Sequence, residues 1–299
     1  MAALVLEGTF TAIVTPFTPD GSAVDVDALD RLVDAQIEGG VSGLVPCGTT
    51  GESPTLSDAE QVDVIRRVVV RAKGRVPVIA GTGSFSTKKT IEASKAAVEA
   101  GADAVMIVMP YYSKPSQDGL RMHAVEVARS VEVPVVLYNI PGRCIVDLLP
   151  ETTERICSEA KNVVGMKEAT GNVLRCQELV RRLGDRLTVL SGDDVLTLPM
   201  MAIGAKGVIS VVSNVLPAET SRVTTLALAG KYEEARRAHF DLLELASLLF
   251  VEPNPAPAKA VLAKLGRMSP SVRGPLAPAT DALTARLVEA MKRFGTEAR

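Results

Sequence analysis

The stretch VPVIAGTGSFSTKKTIEASKAAVEAGADAVMIVM (76–109) has the pattern of one complete strand–helix–strand unit. Its two ends, VPVIAG (76–81) and AVMIVM (104–109), are apolar on successive residues, which is typical of parallel strands buried on both faces. The segment STKKTIEASKAAVEAG (86–101) between them has the amphipathic composition of a helix, and Gly101 is a stop signal. The stretch therefore predicts a βαβ unit.

The same alternation continues along most of the chain. Six further apolar runs are separated by helical segments: TFTAIV (9–14), SGLVPC (42–47), VPVVLY (133–138), VVGMK (163–167), LTVLS (187–191) and GVISVV (207–212). Strand starts recur at intervals of roughly 20 to 35 residues, the size of one βα unit. Eight repeats predict an α/β protein with a (β/α)₈ TIM barrel rather than an open doubly wound sheet, although the pattern alone leaves the open sheet possible.

Helix signals support this assignment and set a domain boundary. We expect one helix to begin after Asp25 and another after Ser57, where Glu60 completes a capping box. From residue 231 onward the strands stop and helical segments follow, joined by FVEPNPAPAK (250–259), whose three prolines predict a loop. We therefore assign residues 1–230 to a catalytic barrel and 231–299 to a C-terminal helical extension.

Composition excludes several classes of protein. The 299 residues include 33 basic and 35 acidic side chains, so the net charge is −2, and no basic stripe indicates nucleic-acid binding. No apolar stretch approaches the roughly 20 residues of a membrane span. Four separated cysteines and the absence of a secretory leader predict a cytoplasmic protein. With only two histidines, a His-based zinc site has little material, and we expect neither a metal nor a cofactor.

Polar residues follow the apolar runs at the strand ends, where TIM barrels place their chemistry. Lys167 ends the apolar run VVGMK, so its stem should be buried with the amine at the mouth of the barrel. Desolvation disfavours an ammonium group and produces a nucleophilic amine near neutral pH. The pattern alone equally allows a lysine that extends to solvent or pairs with a carboxylate.

Five further side chains at strand ends are candidates for the same site. Tyr138 and Tyr112 could pass protons, Thr50 and its neighbour Thr49 could bind a carboxylate, and Arg143 could clamp a second one. Each also has an ordinary structural interpretation: a core aromatic residue for the tyrosines, a capped turn for the threonines and a solvated loop residue for Arg143.

Eight motifs occur in the order and spacing of one known family. They are AIVTPF (12–17), GTTGESPTL (48–56), PYYSKPSQDGL (110–120), LYNIPGR (137–143), GMKEATGN (165–172), LSGDD (190–194), GAKGVISVVSN (204–214) and FVEPNPAPAK (250–259). By these motifs, which span nearly the whole chain, the sequence resembles the dihydrodipicolinate synthase / N-acetylneuraminate lyase family. The resemblance selects the catalytic interpretation of Lys167.

The resemblance implies a reaction and a role for each residue. Lys167 would form a Schiff base with pyruvate, and the resulting enamine would attack L-aspartate-4-semialdehyde to give 4-hydroxy-tetrahydrodipicolinate. Tyr138, Thr49 and Tyr112 would form a proton relay, with Tyr112 supplied by an adjacent subunit. Thr50 and the backbone of Ile209 would hold the pyruvate carboxylate, and Gly192 would be a further substrate-binding position. The last substrate-binding residue, Arg143, would guide the semialdehyde carboxylate, and the usual assembly is a homotetramer, a dimer of dimers.

Three alternative functions were considered. Another pyruvate aldolase of the family, cleaving N-acetylneuraminate or a 2-keto-3-deoxy sugar acid, would share Lys167 and Tyr138, but such lyases usually lack the arginine found at position 143. A catalytically idle barrel would require the loss of a catalytic residue, and none is missing. A cofactor-dependent oxidoreductase is disfavoured because no G-x-G-x-x-G follows the first strand.

The resemblance also gives an expectation about regulation. Members inhibited by L-lysine bind it between subunits with a Ser/His/His/Asn/Glu/Tyr set, of which only Ser53 and Tyr111 match here. The other four positions hold Asp58, Gln61, Phe85 and Lys89. Because Lys89 places a cation where a carboxylate would pair with the ligand amine, we expect weak or no inhibition by L-lysine.

Overall fold

The eight apolar runs form a closed ring of parallel strands in a computed structural model, which describes residues 4–295. The strands are β1 Gly8–Ala12, β2 Gly43–Val45, β3 Ile79–Gly81, β4 Ala104–Val108, β5 Val135–Asn139, β6 Val163–Glu168, β7 Thr188–Ser191 and β8 Gly207–Ser210. Their order is β2-β1-β8-β7-β6-β5-β4-β3, and a parallel bridge between Leu44 and Val78 joins the two ends. The predicted TIM barrel is confirmed.

At two places in this ring, neighbouring strands share a single registered pair of residues, and we call these places the thin seams. Between β2 and β3 the paired residues reduce to the Leu44–Val78 bridge. Between β7 and β8 a single pair, Ser191 with Val208, is in register. The other neighbouring strands share three to five registered pairs. Candidate site residues lie close to each of these places: Thr49 and Thr50 follow β2, and Ile209 belongs to β8.

Helices surround the ring and continue beyond it. They are α1 Val26–Glu38, α2 Asp58–Ala72, α3 Thr87–Glu99, α4 Gln117–Arg129, α5 Pro141–Cys144, α6 Pro150–Glu159, α7 Val173–Leu183, α8 Thr197–Ala202, α9 Pro217–Leu228, α10 Tyr232–Leu248, α11 Ala256–Lys264 and α12 Asp281–Met291. The predicted caps are present: Asp25 accepts from the Ala28 amide, and Ser57 and Glu60 form the reciprocal capping box. No helix among residues 4–295 is long and apolar enough to cross a membrane.

Side-chain alternation along β1 separates the barrel interior from the layer under the helices. Thr11 donates to Gln36 of α1 (2.7 Å), and Thr9 bonds to Thr224 of α9 (2.9 Å), so these threonines face the helices. Phe10 and Ala12 must then point the opposite way, because successive strand residues face opposite sides. They belong to a second apolar cluster that also contains Val136, Tyr138, Leu190 and Ile209, and this cluster fills the interior.

The extension differs from the sequence expectation in one respect. The motif FVEPNPAPAK was predicted to be a loop, but its second half is helical, because α11 begins at Ala256. Pro257 lies in the first turn of α11, where a helix needs no amide donor, so the proline does not prevent the helix. Beyond α11 the chain returns to the segment after β1, where Ser271 donates to the Pro19 carbonyl (2.8 Å) and Arg273 to the Gly21 carbonyl (2.9 Å).

Candidate active site

Lys167 lies near the C-terminal end of β6 and points into the barrel. Its neighbour Met166 packs in the outer layer, so the strand alternation turns Lys167 inward. The register places it beside Tyr138 of β5 and Leu190 of β7. Its Nζ is 4.3 Å from the centroid of the Tyr138 ring, and the side chain is only 4% exposed. The alternative of a lysine extending to solvent is therefore wrong.

The surroundings of Lys167 favour an uncharged amine. Burial lowers its pKa to about 8, while Asp194 raises the pKa and Arg143 lowers it further. Among residues 4–295, no side chain forms a hydrogen bond or ion pair with its Nζ, so the alternative of a paired lysine is also wrong. A pKa of about 8 leaves about a tenth of the amine uncharged at pH 7, far more than for an exposed lysine. The amine is thus available as a nucleophile.

Tyr138 provides a protonated hydroxyl beside this amine. It is 4% exposed, and burial raises its pKa to about 12, although a hydrogen bond with the Thr49 side chain acts in the opposite direction. Thr49 lies in the loop after β2, so the two residues come from strands that are not neighbours in the barrel. The structure therefore brings together Lys167, Tyr138 and Thr49.

Thr50 is buried next to Thr49 and is tied to the C-terminal extension. It is 2% exposed, and its Oγ1 accepts a hydrogen bond from Asn254 Nδ2 (3.0 Å). Two residues on, Glu52 has left-handed backbone (φ +55°) and pairs with Lys259 of α11, and both side chains are fully buried. The loop that carries Thr49 and Thr50 is thus fixed by residues about 200 positions away.

Gly192 and Ile209 lie at the ends of β7 and β8. A Cβ at Gly192 would come within 2.7 Å of the Ala169 side chain and 3.2 Å of Lys167 Cε, so a larger residue would press on the lysine stem. Ile209 is buried in the interior cluster. The buried carboxylate of Asp194 accepts from the Ser210 hydroxyl and from the amides of Val211 (2.9 Å) and Val212 (3.3 Å), which holds the end of β8 against the loop after β7.

Arg143 is exposed at the rim of this site. It lies in the short helix α5, which begins two residues after the end of β5. A cavity of about 330 Å³ extends outward from the site, and its lining includes Arg143, Gly192 and Asp193 together with Phe250 from beyond α10. The guanidinium acts on the pKa of both Lys167 and Tyr138. Arg143 therefore presents a positive charge to the entrance of the cavity.

Tyr112 is not assembled with the other candidates within this chain. Its side chain is 91% exposed, and its backbone has φ +70°, which a tyrosine rarely adopts. The adjacent Tyr111 instead packs edge-on against Phe85, with ring centroids 5.8 Å apart. A contribution of Tyr112 to the site of another subunit remains a prediction.

Two residues of the site region were not singled out from the sequence. Asn254 occurs in a quoted motif, yet nothing in PNPAPAK indicates that its amide reaches Thr50. Asp194 belongs to the LSGDD motif, and its position directly after a strand end could have identified it. Both are buried polar groups with specific partners.

Comparisons with known proteins point to one family. The profile of the dihydrodipicolinate synthetase family matches residues 5–294. A 4-hydroxy-tetrahydrodipicolinate synthase of Sorangium cellulosum (strain So ce56) is 74% identical over 98% of this chain and 98% of its own. One of Geotalea uraniireducens (strain Rf4) is 50% identical over 97% and 99%. The crystal structure of dihydrodipicolinate synthase from Aquifex aeolicus superposes with a TM-score of 0.96 at 42% identity, covering 98% of this chain and 100% of that one.

The resemblance found in the sequence motifs is thereby confirmed over the full length of the barrel and its extension. Identities of this size, together with a family match over nearly all residues, exceed what a shared TIM barrel alone would produce. This chain belongs to the dihydrodipicolinate synthetase family.

Proposed function

We propose that this chain is a Schiff-base lyase that condenses pyruvate with L-aspartate-4-semialdehyde to give 4-hydroxy-tetrahydrodipicolinate, a step of lysine and diaminopimelate biosynthesis. The observation that carries the proposal is Lys167, a buried and unpaired amine in the barrel interior with its Nζ 4.3 Å from the Tyr138 ring centroid. The names of the relatives described above support the same reaction.

The first half of the reaction uses the lysine and its tyrosine. The Lys167 amine attacks the ketone carbon of pyruvate to form a carbinolamine, which loses water to become an imine. Loss of a proton from the pyruvate methyl group then gives an enamine. Tyr138 is suited to carry these protons, because a hydroxyl with a pKa of about 12 is fully protonated at neutral pH and is a strong base once it has given its proton away.

The second half joins the two substrates and releases the enzyme. The enamine carbon attacks the aldehyde carbon of the semialdehyde, forming the new carbon–carbon bond and regenerating the imine. The amine of the semialdehyde then displaces Lys167 from that imine, which closes the six-membered ring and frees the lysine amine. One water molecule is lost overall, in the first half.

The remaining candidates have binding roles in this proposal. Thr50 and the backbone of Ile209 hold the pyruvate carboxylate, and Gly192 leaves room beside the lysine stem. Arg143 binds the semialdehyde carboxylate from the cavity rim, where a guanidinium can engage a carboxylate through two hydrogen bonds. Thr49 and, from a neighbouring subunit, Tyr112 complete the proton relay with Tyr138.

The first experiment tests the covalent step. Treatment with pyruvate and borohydride should give an irreversible adduct, and peptide mapping should locate it on Lys167. If the adduct forms on another lysine, or none forms, the Schiff-base mechanism is wrong.

Arg143→Ala tests the choice of the second substrate. We expect KM for L-aspartate-4-semialdehyde to rise by about 10- to 100-fold with little change for pyruvate, because only the second carboxylate loses its partner. The control is turnover of N-acetylneuraminate and 2-keto-3-deoxy sugar acids, which should stay negligible. Efficient cleavage of a sugar acid would favour the other branch of the family.

We also propose the organisation of the protein in the cell. Residues 1–230 form the catalytic barrel, 231–299 are an extension that depends on it, and the assembly is a cytoplasmic homotetramer made of two dimers. The exposed Tyr112, held in strained backbone, supports an inter-subunit contact at that loop. Sedimentation of the purified protein, together with a Tyr112→Phe variant that keeps the assembly but loses turnover, would test this arrangement.

A further inference from the structure

The segment between α10 and α11 reaches the loop that binds pyruvate in the proposed function. Asn254, in this segment, is 5% exposed, and its Nδ2 donates to Thr50 Oγ1 at 3.0 Å. Thr50 is itself 2% exposed, so the hydrogen bond is shielded from water. A residue of the C-terminal extension therefore touches a substrate-binding side chain directly.

This contact determines what the Thr50 hydroxyl can do. A threonine hydroxyl has one proton to donate and two lone pairs that accept. Because Oγ1 accepts from Asn254, the hydroxyl proton is left for a different acceptor. Among residues 4–295, the Thr50 hydroxyl donates to no protein group, so the proton is free for a ligand.

We propose that Asn254 is a positioning residue: by donating to Thr50, it fixes the Thr50 hydroxyl as a hydrogen-bond donor to the pyruvate carboxylate. The inference rests on the proposed function, since it needs pyruvate as the substrate and Thr50 as one of its ligands. The C-terminal extension would then contribute to substrate binding in addition to packing against the barrel.

Other residues of the C-terminal extension also hold the loop that carries Thr50. The carboxylate of Glu52 pairs with Lys259, and its Oε2 accepts from the Arg273 amide (3.0 Å). Lys259 in turn donates to the Ser271 carbonyl (2.9 Å). These contacts fix the distance between Asn254 and Thr50, because each residue lies within a few positions of the buried ion pair.

The test compares two replacements of Asn254. In Asn254→Asp a carboxylate of the same shape can only accept, so it takes the Thr50 proton and repels the substrate carboxylate. In Asn254→Ala the donor is lost without a new charge. The matched control is Asn172→Asp, the same chemical change at an exposed helix cap, where aspartate is an equally good capping residue.

The readout is borohydride trapping on Lys167 with two ketones of similar size, pyruvate and acetone, of which only pyruvate has a carboxylate. We expect the half-saturating pyruvate concentration to rise about 10-fold in Asn254→Ala and about 100-fold in Asn254→Asp. Trapping by acetone should stay within about two-fold of the parent protein in both, and Asn172→Asp should behave like the parent.

Three outcomes decide the inference. If the parent protein is trapped by pyruvate and Asn254→Asp matches it within two-fold, Asn254 has no positioning role. If trapping by both ketones falls equally, the residue is merely structural and the inference is overturned. If the parent protein itself is not trapped by pyruvate on Lys167, the proposed function is wrong. This outcome is distinguishable from the other two, because it is seen in the protein without any substitution.

Discussion

Lys167 and Lys259 are both buried, and both place their Nζ over an aromatic ring, at 4.3 Å from the Tyr138 centroid and 4.0 Å from the Phe17 centroid. Burial lowers the pKa of both ammonium groups. They differ in their partners: Lys259 is paired with Glu52 and donates to the Ser271 carbonyl, whereas no such partner reaches Lys167 within the described chain.

The difference shows that burial alone does not make a lysine reactive. The lone pair of an amine must be both deprotonated and unoccupied before it can attack a ketone. In Lys259 the Glu52 carboxylate favours the charged form, so the residue serves to hold two parts of the chain together. In Lys167 burial destabilises the charged form, and the opposing effect of Asp194 is too small to restore the usual pKa.

The largest contrast should appear in catalysis. Lys167→Ala should reduce turnover by about 10³-fold or more and abolish the borohydride adduct, because the proposed covalent intermediate forms on the Lys167 amine. Lys259→Met should still form the adduct wherever the protein remains folded. Steady-state kinetics and mass spectrometry of both variants measure this. Normal turnover in Lys167→Ala would end the proposed mechanism.

The next contrast concerns stability at neutral pH. Lys259→Met should lower the free energy of unfolding by about 3–5 kcal/mol, because it leaves the Glu52 carboxylate buried without a counter-charge. Denaturant unfolding followed by circular dichroism measures the loss. The control is the double variant Glu52→Gln/Lys259→Met, which should recover part of it since no charge remains buried. An unchanged stability in the single variant would contradict a stabilising role for this buried ion pair.

Lys167→Met should change stability in the opposite direction. The folded protein holds this lysine at a pKa of about 8, below its usual value of 10.5, so folding is penalised wherever the unfolded chain would keep the proton. The penalty is complete below pH 8, at about 3 kcal/mol, and disappears as the pH rises toward 10.5. Lys167→Met should therefore be more stable than the parent at pH 7 and equal to it near pH 10.5.

Denaturant unfolding at these two pH values tests the prediction. A loss of stability in Lys167→Met at pH 7, comparable to that of Lys259→Met, would show that the two lysines do not differ in the way described. The rate of pyruvate adduct formation should rise with pH and level off above about pH 8 for the same reason.

An exposed lysine extends the comparison and should give the smallest effect. Lys89 lines a cavity of about 230 Å³ with Asp58 and Gln61, and the nearby Glu92 carboxylate is 3.8 Å from Lys88. Because Lys89 repels the ammonium of a bound amino acid, millimolar L-lysine should change the rate by less than about two-fold. A titration of turnover with L-lysine measures this. Half-inhibition at a concentration below about 1 mM would contradict it.

The sequence allowed the barrel to be predicted because each strand is an apolar run that must be buried on both faces. The same pattern made Lys167 a candidate but equally allowed a solvent-exposed or paired lysine, and only the family motifs selected the catalytic interpretation. The structural role of Lys259 could not be predicted, although the residue lies in the apolar segment APAKAVLAK. Its partner Glu52 is more than 200 positions away, and no sequence pattern links the two residues. Candidate catalytic residues can be found from local sequence, because they follow strand ends. The buried contacts that hold them in place join distant parts of the chain and cannot be found in this way.

The two thin seams of the ring have a consequence for motion. Side chains act near both: Asp194 joins the loop after β7 to the end of β8, and Asn254 ties the loop after β2 to the extension. A ligand whose carboxylate lies between Thr50 and Ile209 would touch strands from both seams at once. Substrate binding should therefore reduce local opening of the barrel at the two thin seams. Part of the binding free energy would then appear as a lower rate of opening there.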